Sequence, residues 1–157
     1  MNIFTLLKRE HREVSEILES LMDSKTEAVK QRPAQLALLR QKLLAHSKAE
    51  ESTLYARLKK REEMKARISR SESEHYEVEG LLDELKGMEA TDTEWDRTIL
   101  DLKRNIEHHV DEEENQLFDQ AKVLLSKEQL ETIYDDYQKE EYRWAKQFLS
   151  VIIVDRF

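Results

Sequence analysis

The amino-acid sequence predicts an all-α protein, and its composition gives the first two reasons. Only 2 Gly and 1 Pro occur among 157 residues, so residues that break helices are scarce, while helix formers such as Leu, Glu and Lys are common. Hydrophobic residues make up 39% of the chain and charged residues 38%, so a core can form only if the helices are amphipathic. The length suits one domain with a sizeable core, and we expect residues 1–157 to form a single domain.

The third reason is that the chain repeats itself. The stretch EHREVSEILESL at 10–21 is matched by EHYEVEGLLDEL at 74–85, and HSKAEESTLY at 46–55 is matched by HVDEEENQLF at 109–118. The spacing between the two motifs is nearly the same in both halves, which indicates a duplicated helical hairpin. The sequence therefore predicts an up-and-down four-helix bundle over about residues 4–124, with an additional C-terminal helix.

Apolar spacing and the single proline predict the first two helices. Apolar residues recur at helical steps along about residues 3–23, which predicts the first helix. Its apolar positions are Phe4, Leu7, Val14, Leu18 and Leu21. Pro33 suits the first turn of a second helix, because the N–H that proline lacks has no helical partner there. We expect this helix to run to about residue 60.

Turn and capping residues predict the other two helices of the bundle. A third helix is expected from about 64 to 86 and should stop near Gly87. Thr91 or Thr93 can cap a fourth helix, and Thr93 with Asp96 resembles a capping box. We expect the fourth helix to continue to about residue 124.

A fifth helix lies outside the duplication, at about residues 127–150. Ser126 with Gln129 is a capping pair at its start. Its stripe of larger residues is Leu130, Ile133, Tyr134, Tyr137, Glu141, Trp144 and Phe148. This helix could pack across the bundle or form the contact of a homodimer.

Six polar residues occupy positions of the predicted apolar faces. They are His11, His46, Glu50, His75, His109 and Glu113. On the second and fourth helices, a histidine and a glutamate four residues apart continue the apolar stripe, so both side chains point inward. On the first and third helices, a single histidine interrupts the stripe. Four imidazoles and two carboxylates are therefore expected in the middle of the bundle.

Such a cluster needs positive charge. A buried, unpaired carboxylate costs several kcal/mol, and no Lys or Arg occupies the same faces. A single histidine on an apolar face is more often an ordinary core residue than a ligand. Here the histidine and the HxxxE motif occur twice at matched spacing, which favours a pair of divalent metal ions held in the bundle core.

The order of these motifs resembles the hemerythrin-like HHE cation-binding domain, over roughly residues 4–124. The residues that carry the resemblance are His11, His46, Glu50, His75, His109 and Glu113. Ferritin-like bundles use Glu-x-x-His instead, a string that occurs here only from Glu72 to His75. The resemblance implies a non-haem centre of two iron ions, bridged by both glutamates and by an oxo or hydroxo group, with the four histidines completing the coordination.

The chain departs from the oxygen-carrying hemerythrins at one position. Those proteins have a second histidine one turn after that of the third helix, but Glu79 stands four residues beyond His75. Reversible oxygen transport is thereby in doubt, and the arrangement is more similar to iron-centre repair proteins and other bacterial HHE proteins. Glu79 could be an additional ligand, hydrogen-bond to the site or face solvent.

Several neighbours of the six residues have open roles. His108 lies about 100° round its helix from the next histidine, so we expect it on the flank rather than among the ligands. Glu114 is the alternative to Glu113 as the metal-bridging glutamate. Glu51 and Glu114 are expected to face solvent or to hydrogen-bond to ligands. Tyr55 and Phe118 are expected to be packing residues.

Charge and composition exclude several classes of partner and cofactor. A formal charge of −8 provides no basic stripe to neutralise phosphates, which argues against nucleic acid. The longest apolar stretch, VIIV at 151–154, is far too short to span a membrane. The absence of Cys excludes disulfides and cysteine-bound clusters. The first residues show no secretory signal, so a cytoplasmic location is expected.

Three functions are consistent with the sequence. The first is a di-iron protein that binds, senses or detoxifies a small diatomic ligand or a peroxide. The second is iron handling by storage, donation or repair of iron centres. The third is a metal-free helical scaffold. Histidine and carboxylate ligands also suit Mn or Zn, so iron follows from the resemblance, and whether the protein is an enzyme stays open.

Overall fold

Helices account for every regular element that the structure describes. The structure is a computed structural model that describes residues 2–24 and 26–156, with the side chains of all of these except 26–28 and 149–156. The α-helices are α1 (Ile3–Met22), α2 (Arg32–Glu50), α3 (Ala56–Leu58), α4 (Lys65–Lys86), α5 (Thr93–Glu112), α6 (Phe118–Leu124) and α7 (Lys127–Arg156). Two π-helical turns, π1 (Glu51–Tyr55) and π2 (Glu113–Leu117), join α2 to α3 and α5 to α6 without interruption, and 3₁₀ helices cover Thr26–Gln31 and Glu62–Met64. The all-α class is confirmed.

The predicted helix ends are confirmed except for the capping residue of the fourth helix and the end of the fifth. Pro33 lies in the first turn of α2, as expected. The predicted caps Thr91 and Thr93 are wrong, because Asp92 is the capping residue of α5 and its side chain accepts a hydrogen bond from the Glu94 N–H at 2.9 Å. Thr93 is therefore already the first helical residue, so it cannot form a capping box with Asp96.

The fifth predicted helix, α7, begins where its capping pair places it. The Ser126 N–H donates to Gln129 Oε1 at 2.9 Å, and the Gln129 N–H donates to Ser126 Oγ at 3.1 Å, which confirms the capping box. The helix extends to Arg156, beyond the predicted end near 150. In the part of the chain that the structure describes, no helix is long and apolar enough to cross a membrane.

The packing of the helices encloses a polar layer between two apolar clusters. α1 packs against α2 and α5, α4 packs against the same two helices, and α7 lies on α2 and α1. One apolar cluster includes Leu7, Leu54 and Leu117, and the other includes Val14 and Ile106. The six polar residues predicted to face inward lie between these clusters along their helices.

A buried arginine at the start of α2 connects several segments at the end of the molecule that lies far from this layer. Arg32 is only 4% exposed and lies 3.9 Å over the ring of Trp95. Its guanidinium donates to the Ser24 carbonyl at 2.7 Å and to the Ala90 carbonyl at 2.6 Å, and it pairs with Asp96 at 3.1 Å. It therefore links the start of α2 to the segment that follows α1 and to the segment that precedes α5.

Candidate metal centre

Two π-helical turns position the two buried glutamates. Glu50 is the last residue before π1, and Glu113 is the first residue of π2, so the turns lie at nearly equivalent places in the two halves, offset by one residue. In a regular α-helix, residues four and five positions later would differ by about 100° in direction. Here both are buried after each glutamate, because the wider turn accommodates one more inward residue. These residues are Leu54 and Tyr55 in π1, Leu117 at the end of π2 and Phe118 just after it.

The structure brings all six predicted site residues together, and all six are buried. Glu113 lies between two histidines, with Oε1 3.2 Å from His11 Nε2 and Oε2 3.4 Å from His109 Nε2. Oε1 of Glu50 lies 3.7 Å from His46 Nε2 and 3.3 Å from His75 Nε2. Each glutamate therefore joins one histidine of its own helix to one from another helix.

These residues form two overlapping groups that could each hold a metal ion. In each group the potential ligand atoms all lie within 4.8 Å of one another. The first group is His11, His46, Glu50 and Glu113, and the second is Glu50, His75, His109 and Glu113. Both glutamates belong to both groups, which is the arrangement that two carboxylate-bridged ions require.

The hydrogen bonding within the layer is incomplete. Both carboxylate oxygens of Glu50, Oε1 of Glu113 and Nε2 of His11 and His46 are buried without a hydrogen-bond partner. Unpaired buried oxygens and imidazole nitrogens are costly, and native proteins leave few of them. Divalent cations would satisfy these atoms, so the residues present fit a metal centre.

Each of the four histidines has a carboxylate beside its other ring nitrogen. Nδ1 of His46 lies 2.9 Å from Glu10, and Nδ1 of His109 lies 2.8 Å from Glu74. These two acids are equivalent in the two halves, since each immediately precedes the histidine of α1 or α4. A carboxylate at Nδ1 holds the proton there and leaves Nε2 free to bind a metal.

The two remaining histidines are supported in the same manner by the acids that follow the buried glutamates. Nδ1 of His11 lies 2.7 Å from Glu114, and Nδ1 of His75 lies 3.5 Å from Glu51. Glu114 therefore bonds to a histidine, and Glu113 lies in the centre. Of the two roles expected for Glu51 and Glu114, the hydrogen-bonding one is confirmed for Glu114. Glu51 lies near His75, but Nδ1 of His75 has no hydrogen-bond partner, so its role stays a prediction. The outer carboxylates Glu10 and Glu74 were missed by sequence reasoning, which examined only the inward faces.

One aromatic position breaks the symmetry of the two halves. The ring of Tyr55 stacks on His75 and the ring of Phe118 stacks on His11, with centroid distances of 5.4 Å and 6.3 Å. The Tyr55 hydroxyl also donates to Glu113, whereas Phe118 has no group to donate to Glu50. Both side chains pack as expected, and Tyr55 in addition stabilises one of the two central carboxylates.

The central acids determine how protons are held in the layer. Burial opposes protonation of His11, but Glu113 and Glu114 outweigh it and raise its pKa to about 9. Burial also opposes protonation of His109, and Glu113 and Glu74 raise its pKa to about 10. Despite its burial, Glu113 has a pKa well below its ordinary value because His109 and His11 contact it. In the protein without metal, positively charged histidines thus balance the charge of the central carboxylates.

Glu79 and His108 are not in either central group. His108 is 65% exposed, and its Nε2 lies 3.4 Å from Glu112 and 3.7 Å from Glu74, which confirms its expected place on the flank. Glu79 is half-buried and lines a groove between α2 and α4 that reaches His75. Glu79 belongs to neither group of potential ligands, so the structure does not support it as an additional ligand, and its other two expected roles stay predictions.

Comparison with known proteins agrees with this geometry. A family model described as the hemerythrin HHE cation binding domain matches residues 2–121. The chain therefore belongs to the hemerythrin HHE cation-binding domain family, whose members are helical bundles. No curated protein and no solved structure matches the chain. The matched segment contains all six central residues and ends before α7 begins.

Proposed function

We propose that this protein holds a non-haem di-iron centre and uses it to bind, sense or detoxify a small oxidant such as oxygen, nitric oxide or peroxide. The proposed ligands are His11, His46, Glu50, His75, His109 and Glu113, arranged in an up-and-down four-helix bundle. The observation that carries the proposal is the pair of overlapping groups in which several buried nitrogen and oxygen atoms lack hydrogen-bond partners. Family membership supports a cation as the missing partner.

Each part of the chain has a defined task in this proposal. The four imidazoles offer Nε2 to the metals, while the outer carboxylates keep the proton on Nδ1 and fix the ring orientation. Glu50 and Glu113 each belong to both groups of potential ligands, so each could bind both metal ions. When bound, iron would supply redox activity and open coordination positions at which a small molecule can bind.

A small internal cavity supports a ligand of only a few atoms. The cavity has a volume of about 30 Å³ and borders all four histidines. The rest of its lining comes from Val14, Leu43, Ser47, Val78, Ile106 and Val110. This volume exceeds the roughly 10–15 Å³ that one water molecule needs, so a diatomic molecule or peroxide fits. The mainly apolar lining keeps the site poor in water.

Iron handling is the second candidate, and one groove favours it. A groove of about 270 Å³ between α1 and α5 reaches His11. Asp111 and Glu114 lie along it, and the carboxylate of Glu114 contacts the histidine directly. Acidic side chains along a groove attract cations, so metal ions could enter or leave by this route.

The test is elemental analysis of the purified protein, followed by mixing its anaerobic, iron(II)-loaded form with oxygen or nitric oxide. We expect two iron ions per chain and a rapid change in the absorption spectrum with at least one of the two gases. Two ions without any spectral response, and with rapid transfer of iron to an acceptor protein, would favour iron handling. A protein that binds no metal and melts unchanged after iron is added would favour the metal-free scaffold.

A further inference from the structure

The C-terminal helix α7 lies outside the segment matched by the family model, yet it contacts the candidate metal centre. Tyr137 is fully buried, and its hydroxyl oxygen lies 2.5 Å from Glu10 Oε1 and 3.0 Å from His46 Nδ1. The same oxygen lies 3.1 Å from Glu141, one turn further along α7. A residue of the fifth helix is therefore part of the hydrogen-bonded surroundings of a proposed ligand.

Among the residues that the structure describes, the other half of the molecule shows no counterpart to this contact. The pair Glu10 and His46 corresponds by the internal repeat to the pair Glu74 and His109, which lie at almost the same distance, 2.8 Å. The neighbour that contacts Glu74 from outside is His108, which is 65% exposed and 3.7 Å away. One pair is thus covered by a buried tyrosine, and the other is beside a solvated side chain.

We propose that Tyr137 is a positioning residue that makes the two metal positions inequivalent. By fixing the Glu10–His46 pair, it causes the position that includes His11 and His46 to hold its ion more tightly than the position that includes His75 and His109. The inference rests on the proposed function, because it requires metal at both positions.

The hydrogen bonds explain how a tyrosine can act through its neighbours. For His46 to bind a metal through Nε2, its proton must stay on Nδ1 and be donated to Glu10. The Tyr137 hydroxyl donates to the same carboxylate, so it restricts where that carboxylate can move. Partners of this kind orient metal ligands, and losing one typically costs about 10- to 100-fold in metal affinity.

Packing alone does not account for a tyrosine at this position. The ring of Tyr137 belongs to an apolar cluster, where a phenylalanine ring would contact the same neighbours. α7 packs along α2 and α1, which prevents the buried ring from turning away. The hydroxyl, by contrast, lies within hydrogen-bonding distance of polar atoms of Glu10, His46 and Glu141.

The first test compares Tyr137→Phe with Tyr134→Phe, which removes a hydroxyl from the same helix three residues earlier. Tyr134 is partly buried and packs against the same apolar cluster. Protein loaded anaerobically with iron(II) is mixed with an excess of a colorimetric chelator. We expect wild type to release one ion quickly and one slowly. Tyr137→Phe should speed the slow phase about tenfold and leave the fast phase unchanged. Tyr134→Phe should change neither phase.

Two further variants show whether Tyr137 acts through Glu10. If it does, adding Tyr137→Phe to Glu10→Gln changes the slow phase little, whereas adding it to Glu74→Gln still gives about the tenfold effect. Loading with cobalt(II) gives an independent readout, because each ligand histidine then has a shifted, exchangeable N–H signal in the NMR spectrum. One of these signals should exchange faster with water in Tyr137→Phe than in wild type.

Each alternative outcome has a distinct meaning. Release of both ions in a single phase by wild type, or wild-type kinetics in Tyr137→Phe, overturns the inference and leaves the proposed function intact. Equal acceleration of both phases, with a lower melting temperature, would mean general loosening of the bundle and also overturns the inference. A wild-type protein that binds no metal overturns both proposals.

Discussion

His46 and His109 occupy equivalent positions in the two halves, yet their surroundings shift their pKa values in opposite directions. Burial lowers the pKa of His46, and the nearest oxygen of Glu50 is 3.7 Å from its Nε2. His109 is also buried, but Glu113 lies 3.4 Å from its Nε2 and raises its pKa to about 10. Burial and the difference in carboxylate contact within one layer therefore favour a second proton, and with it a positive charge, on His109 rather than on His46.

Removing one histidine of an adjacent pair tests the proposed ligands. His109→Ala removes a nitrogen from one metal position, so we expect at least half of the bound metal to be lost and the melting temperature to fall with it, because metal stabilises only the folded state. His108→Ala is the matched control, since its side chain is 65% exposed. Equal metal content in wild type and both variants, measured by elemental analysis, would refute this assignment.

The raised histidine pKa values predict the pH dependence of the metal-free protein. In an unfolded chain the pKa of histidine is about 6.5, whereas it is about 9 for His11 and about 10 for His109 in the folded protein. The stabilisation from these two groups is therefore complete below about pH 6.5 and is lost as the pH rises through their folded pKa values. We expect the melting temperature of the metal-free protein to fall between about pH 7 and 10.

Scanning fluorimetry at constant ionic strength measures this effect, with metal-loaded protein as the control. The loaded form should change less over the same interval, because cations replace the protons in the layer. A melting temperature of the metal-free form that stays constant from neutral to alkaline pH would contradict the prediction.

The candidate ligands could be identified from the sequence because their spacing repeats the core spacing. His109 and Glu113 continue an apolar stripe in steps of three and four, and the same steps recur in the first half. Glu10 and Glu74 could not be found in this way. Each lies about 100° away from the inward histidine that follows it, and only the approach of a neighbouring helix brings it to an imidazole.

At the scale of elements, the π-helical turns are the feature that periodicity could not predict. Reading the chain with a constant period of 3.6 assigns one inward position per turn, so it gives no reason to expect an inserted residue. A trace of the insertion is present in both halves. An apolar or aromatic residue stands both four and five positions after Glu50 and after Glu113.

The capping box of α7 is an element whose strength can be measured. Ser126→Ala removes the hydroxyl that accepts from the Gln129 N–H, and we expect it to lower the free energy of unfolding by about 1 kcal/mol. Chemical denaturation of metal-free protein measures the change. Ser69→Ala, at an exposed site within α4, is the control and should be neutral or slightly stabilising because alanine favours helices. Equal effects of the two substitutions would mean that the cap contributes nothing.

At the scale of the whole molecule, the repeat predicted the bundle but did not determine where α7 packs. The duplication gives each helix of one half an equivalent in the other. An inward face predicted in one half is therefore corroborated by the equivalent face in the other. α7 has no equivalent, and its stripe of aromatic residues fits a contact with the bundle as well as one with a second chain. The structure places it on α2 and α1. The single domain over residues 1–157 stays a prediction.

The buried arginine at one end of the bundle should contribute more to the free energy of unfolding than an arginine in an exposed ion pair. Arg32→Ala leaves the Ser24 and Ala90 carbonyls without their charged donor and exposes the face of Trp95. We expect a loss of about 3 kcal/mol in the free energy of unfolding. Arg40→Ala is the control, because Arg40 pairs with Asp83, whose side chain is 56% exposed, and such pairs contribute less than about 1 kcal/mol. Denaturant titration that gives similar losses for both variants would contradict the prediction.

The sharing of Glu50 and Glu113 has a consequence for how the two hairpins depend on each other. Each group of potential ligands takes three residues from one hairpin and its fourth from the other. Neither hairpin could build a complete cage alone. If the chain were cut in the connection between α3 and α4, which joins the two hairpins, the two fragments should reassociate when metal is supplied and separate when a chelator removes it, because the ions would then hold the halves together.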